Sequence, residues 1–224
     1  EIAQATEWLT TMGPAEQVML VPGNHDIYAK GSADAVVEAW SDYMFQANQP
    51  SHSEQAAGEF PVVRKLGKLS LIGLSTGCVT PLFMASGKLG GEQLRKLDNL
   101  LRKAAAEEQM VVLLIHHPPL PDMTNWRKAL TDATALEAVL KKHPPLLIFY
   151  GHLHYNREYL WGDSRIYCTA SASSVSDASY RVIDVEDMHD HWAFQMSLKS
   201  LAIKTAGEPE FVKIDEQASQ VPKN

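Results

Sequence analysis

Three short clusters in this sequence carry side chains that can do chemistry: Gly23-Asn24-His25-Asp26, His116-His117-Pro118-Pro119 and Gly151-His152-Leu153-His154. They hold five of the nine histidines. Imidazole nitrogen and amide oxygen are donors that suit divalent first-row cations. A glycine just ahead of such a donor lets the backbone come close. In an extended segment His152 and His154 would point to one side, whereas in a loop they can diverge to serve two neighbouring ions. Taken singly, each cluster could be a turn whose histidines satisfy local hydrogen bonds; the coincidence of three favours a shared site. The other histidines, His52, His143, His189 and His191, lie in polar stretches and read as solvated.

The elements that must position these clusters are apolar runs. Residues 18–21 (Val-Met-Leu-Val), 111–115 and 146–150 read as buried strands, and each cluster follows one of them. Ligands in open α/β sheets bind at that carboxyl edge. Ile2, Ala5, Trp8, Leu9 and Met12 form one helical face, stopped by Gly13-Pro14. Further helices are expected over residues 36–44, 94–104 and 131–142, and a hairpin over 62–66 and 69–74 around Gly67-Lys68. From Arg165 onward the pattern is mostly β, over 166–169, 180–185 and 192–198. Strand and helix alternate and a β-rich end follows, which indicates an α/β layered fold of one domain spanning 1–224. The polar stretch 216–224 reads as a frayed tail.

Composition narrows the partners. The formal charge is -7 with no basic stripe, so a nucleic-acid backbone is not expected. A small anionic substrate then needs local compensation, which bound cations can give. Cys78 and Cys168 form no C-x-x-C motif; they read as small apolar residues inside strands, without a disulfide. No apolar run approaches the roughly 20 residues of a membrane span, so no membrane partner is expected and the cytoplasm is the default location. A removed signal peptide before Glu1 stays open, and nothing in the pattern speaks to oligomeric state. Ser75, Thr76 and the serine run 171–176 lack the surroundings of a protein nucleophile and read as loop and strand edge.

In their order and spacing the three clusters resemble the third, fourth and fifth motifs of the calcineurin-like metallophosphoesterase superfamily. The His-His-Pro-Pro form and the segment 60–101 are most similar to the bacterial branch with cyclic-nucleotide and glycerophosphodiester phosphodiesterases. The likeness covers essentially the whole chain except its β-rich end. It implies a layered α/β-β/α sandwich and a binuclear-metal-dependent hydrolase of a small phosphoester, most plainly a phosphodiesterase. Two divalent ions (Mn, Fe or Zn) and a metal-bridging hydroxide that attacks phosphorus belong to that implication. Carried over, Asn24, His116 and His152 bind one ion and His154 the other. His116 is preferred to His117 because the first histidine of the family's His-x-Pro pattern is the ligand. His25 faces the substrate, donating to a phosphoryl oxygen or the leaving group. Asp26 holds the His25 imidazole, with a helix N-cap or turn role as its alternative.

The sequence departs from the family in one respect. The earlier Asp-x-His and Gly-Asp motifs do not precede Asn24. The resemblance then implies that the strand–helix unit bearing them lies upstream of Glu1, and that residues 1–224 by themselves are inactive. The rival readings are a phosphomonoesterase or protein phosphatase on the same fold, and a non-catalytic scaffold that holds one metal or none. Arg127 and Lys128, after the fourth motif, could supply a cationic clamp or be plain solvated surface.

Overall fold

The computed structural model describes residues 2–27, 31–45, 60–171, 178–189, 191–202 and 210–222. Its centre is a sheet of six strands: β1 (Val62–Leu66), β2 (Leu69–Gly73), β3 (Met110–Ile115), β4 (Leu147–Tyr150), β5 (Arg157–Trp161) and β6 (Ser164–Cys168). The spatial order is β1-β2-β3-β4-β6-β5, parallel from β2 through β6 and closed at each edge by an antiparallel strand. A second, antiparallel sheet is a meander of β7 (Ser179–Asp187), β8 (His191–Ala202) and β9 (Glu210–Pro222). The helices are α1 (Ile2–Met12), α2 (Asn24–Ile27), α3 (Ser32–Met44), α4 (Gly91–Ala106) and α5 (Ala133–Leu140).

The unbroken apolar run of β3 follows from burial on both faces, as parallel strands require. On one face Leu113, Ile148 and Ile166 pack with Leu97 and Leu101 of α4 and with Leu136 and Leu140 of α5. On the other, Val112, Leu147 and Tyr167 pack with Trp192, Phe194 and Met196 of β8. Helices, mixed sheet and second sheet therefore form the layered α/β arrangement expected from the sequence. A separate cluster joins α1 and α3 through Leu9, Val36 and Trp40. Among the described residues no helix is long and apolar enough to cross a membrane.

Several elements differ from the sequence-based expectation. Residues 18–21 form no strand; the Leu20 N–H donates to Tyr43 O at 3.0 Å instead of joining a ladder. Met19 and Val21 instead press on Gly73, where an added Cβ would lie 2.8 Å from each side chain. β5 had no apolar signature because its residues alternate irregularly between exposed and half-buried positions. The 216–224 end does not fray through Pro222: it pairs with β8, from Glu216 opposite Ser197 to Pro222 opposite His191. Its polarity fits a strand with Glu216 and Ala218 exposed. Cys168 is buried in β6 as expected, whereas Cys78 lies in a loop. His52 and most of the serine run lie outside the described residues.

Candidate metal centre

Adjacent parallel strands carry two of the candidate donors. Ile115 pairs with Tyr150 at the ends of β3 and β4, and the ladder continues one step as the Gly151 N–H donates to His116 O at 3.1 Å. His116 and His152 thus leave neighbouring strands at the same edge of the sheet. Asn24, buried at the start of α2, completes the set. Asn24 Oδ1 lies 2.9 Å from His116 Nε2 and 3.2 Å from His152 Nδ1, and the two ring nitrogens are 3.3 Å apart. The approach depends on Gly23, where a Cβ would stand 2.8 Å from the His116 ring. His152 reaches its place with φ 64°, a left-handed conformation that costs a non-glycine residue about 1–3 kcal/mol.

These atoms suit a divalent cation. Donors about 2.0–2.2 Å from a common ion, in tetrahedral or octahedral array, stand about 2.9–3.5 Å apart, the range seen here. Burial, reinforced by the neighbouring histidines, lowers the His116 and His152 pKa values to about 3. Both rings are therefore neutral at physiological pH, with lone pairs available for coordination. His152 Nε2 is buried without a hydrogen-bond partner, so no hydrogen bond at its far nitrogen accounts for the ring's placement. Among the described residues no three His, Cys, Asp or Glu side chains gather as a metal site; the third donor here is an amide oxygen.

His117 turns the other way. It is fully buried, with Nε2 3.1 Å from Ala85 O and Nδ1 2.7 Å from Thr76 Oγ1. A carbonyl only accepts, so Nε2 carries the proton and Nδ1 accepts from the Thr76 hydroxyl. Burial pushes its pKa down to about 4, keeping this neutral tautomer. Its ring centroid stands 4.4 Å from that of His152 and 5.1 Å from that of His116. His117 is a wedge that supports both donor rings. Gly87 makes room for it, since a Cβ there would lie 2.4 Å from His117 Nδ1. Neither Thr76 nor Gly87 was singled out from the sequence for this site, and the only hint was a second histidine beside His116.

The remaining candidates sit around this trio. His25 is exposed on α2, near enough for its charge to act on His116 and His152. The Asp26 carboxylate accepts from the Gly23 N–H at 2.7 Å, closing the first turn of α2 in the manner of a capping box. That is the turn role the sequence offered as an alternative, and the charge of His25 also acts on Asp26. Burial raises the Asp26 pKa, and the Gly23 bond opposes it. His154 is exposed at φ 56°; its charge reaches His116 and His152, but it stands outside the trio. Asn24, His116 and His152, the three residues expected to share one ion, come together.

A family model described as Metallophos, calcineurin-like phosphoesterase, matches residues 2–156. No curated protein matches the chain. Among solved structures the chain is similar to a dimetal phosphatase from Danio rerio, with TM-score 0.59 at 14% identity over 92% of this chain and 72% of that one. It is also similar to a putative 5'-nucleotidase from Staphylococcus aureus in complex with alpha-ketoglutarate (TM-score 0.44, 10% identity), covering 97% of this chain but only 39% of that one. Vps29 from Chaetomium thermophilum is similar at TM-score 0.41 and 8% identity, over 97% of this chain and 89% of that one. The first likeness speaks to fold alone.

Proposed function

The chain belongs to the calcineurin-like phosphoesterase family, and from that premise we propose that it serves a metal-dependent phosphoester hydrolase acting on a small diester in the cytoplasm. The observation that supports this most is the mutual approach of Asn24 Oδ1, His116 Nε2 and His152 Nδ1 within 3.3 Å. A divalent cation there would supply Lewis acidity toward a phosphoryl oxygen. Asn24, His116 and His152 would hold it, and His117 with Thr76 supports the rings. His25, exposed beside the trio, donates to a phosphoryl or leaving oxygen. For a second cation the described residues offer no group of three His, Cys, Asp or Glu side chains. A binuclear centre therefore needs donors beyond those described here.

The diester assignment draws on the His-His-Pro-Pro form and on the single leaving oxygen that His25 can serve. One observation favours the rival phosphomonoesterase: the charge of Lys128 reaches His152, and a cation there would suit a dianion. The two readings separate in hydrolysis assays with Mn2+ at neutral to mildly alkaline pH. The diesterase gives a higher kcat/KM for bis-p-nitrophenyl phosphate than for p-nitrophenyl phosphate; the reverse order overturns it and leaves the hydrolase standing.

A further inference from the structure

The Ala85 carbonyl that accepts from His117 closes a loop whose other end also lies at the metal centre. At its start, a Cβ on Gly77 would lie 2.8 Å from Ile27 and 3.1 Å from Gly23 O. Between these anchors a turn forms, with Met84 N donating to Pro81 O at 3.1 Å and Thr80 Oγ1 to Met84 O at 2.9 Å. The turn holds Phe83 93% exposed at φ 67°. A second segment is fastened to the first: Ala85 N donates to Arg127 O at 2.9 Å, and Gly87 N to Ala129 O at 3.1 Å. Its tip presents Trp126, 69% exposed, with the Arg127 guanidinium carbon 5.3 Å from the ring centroid. Phe83, Asn125, Trp126, Arg127 and Lys128 line one recess between the tips.

Two large aromatic side chains are thus held in water by backbone pairing rooted at His117. Neither joins a buried cluster, so core packing does not account for them. Two cations share the same tip in a chain of net charge -7, and the charge of one reaches His152. An anion flanked by a flat ring matches both features, because rings stack on aromatics while guanidinium and ammonium groups attract phosphate.

We propose that this recess is a substrate subsite that takes an aromatic arm of the phosphoester against Trp126 and Phe83, with Arg127 and Lys128 turned to the phosphoryl charge. The assignment rests on the hydrolase reading and adds the class of substrate. Trp126 and Phe83 act here as specificity residues, outside the bond-breaking step.

The test is calorimetric titration of the Mn2+-loaded chain with inorganic phosphate, phenyl phosphate and adenosine monophosphate. Phenyl phosphate should bind about 5- to 100-fold more tightly than inorganic phosphate, the range that stacking on an aromatic supplies. W126A and F83A should remove that advantage, and W126F should keep it. A matching advantage for adenosine monophosphate marks a nucleobase arm; its absence marks a simple aryl arm. The subsite is overturned if phenyl phosphate binds no better than inorganic phosphate, or if its advantage survives both alanine variants. An unchanged ring advantage, with W126A and F83A altering only the sedimentation of the chain, also overturns it and points to contact between copies. Inorganic phosphate binding that ignores both Mn2+ and H116A, beside a ring advantage that still needs Trp126, sinks the hydrolase reading alone.

Discussion

His116 Nε2 sits 2.9 Å from Asn24 Oδ1, although 92 positions separate the two residues in sequence. The contact exists because β3 delivers His116 to the sheet edge where residues 18–23 turn into α2. An imidazole facing an amide oxygen and a second imidazole is a donor set that suits a divalent cation.

Removing a donor should therefore differ from removing a neighbour. N24A, H116A and H152A each take away a donor and should abolish tight Mn2+ binding. H117A and T76V disturb only ring support and should weaken it by about 10- to 100-fold. H25A should leave metal content unchanged while slowing phosphoester turnover by about 10²–10⁴-fold. Metal analysis of the purified variants checks the division; equal losses in H25A and H116A would show that the roles are misassigned.

Close backbone approach should be as critical as the donors. In G87A the new methyl would fall 2.4 Å from His117 Nδ1, with Thr76 O at 2.7 Å. Neither neighbour is the far end of a flexible chain, so the buried ring must shift. A loss of about 1–3 kcal/mol in denaturant unfolding is expected, together with weaker metal binding. Gly90 has open space for a Cβ but a φ of 81°, so G90A tests strain without the clash and should leave metal binding unchanged. Equal metal affinity in G87A and G90A would argue against His117 as a support.

The pH dependence of stability follows from the same burial. The His117 pKa falls from an ordinary 6.5 to about 4 on folding, so the unfolded chain binds the proton more tightly. Its contribution is fully present above pH 6.5 and is lost progressively down to pH 4, by on the order of 3 kcal/mol. His116 and His152, also depressed, act in the same direction. Urea midpoints measured without metal from pH 7 to pH 4 should decline steadily, and a flat profile would mean these rings are not buried as described.

Much of this site was legible in the sequence, and the reasons for the rest are physical. The clusters stood out because donors follow apolar runs, behind a glycine at Asn24 and His152, and β3 and β4 form where two of those runs lie; the choice of His116 over His117 came from the family resemblance. For His152 and His154 the sequence left open whether they point together or diverge, since i and i+2 share a side only in extended backbone, and both have positive φ. Thr76 and Gly87 bear no mark of their function, since their role arises only when β2 and β3 bring His117 beside them. Residues 18–21 have the composition of a strand, but a strand needs a partner's ladder, and Leu20 finds Tyr43 instead. β9 was hidden by its polarity.

The central claim, that Asn24, His116 and His152 form one cation site, is tested most directly by titrating Mn2+ into the 224-residue chain and into its N24A/H116A/H152A variant. One ion per chain is expected in the unaltered protein, none in the variant, and no robust phosphoester hydrolysis by either, because His154 alone cannot hold a second ion. Equal Mn2+ binding by the triple variant, or two ions per chain with rapid hydrolysis, would contradict the account.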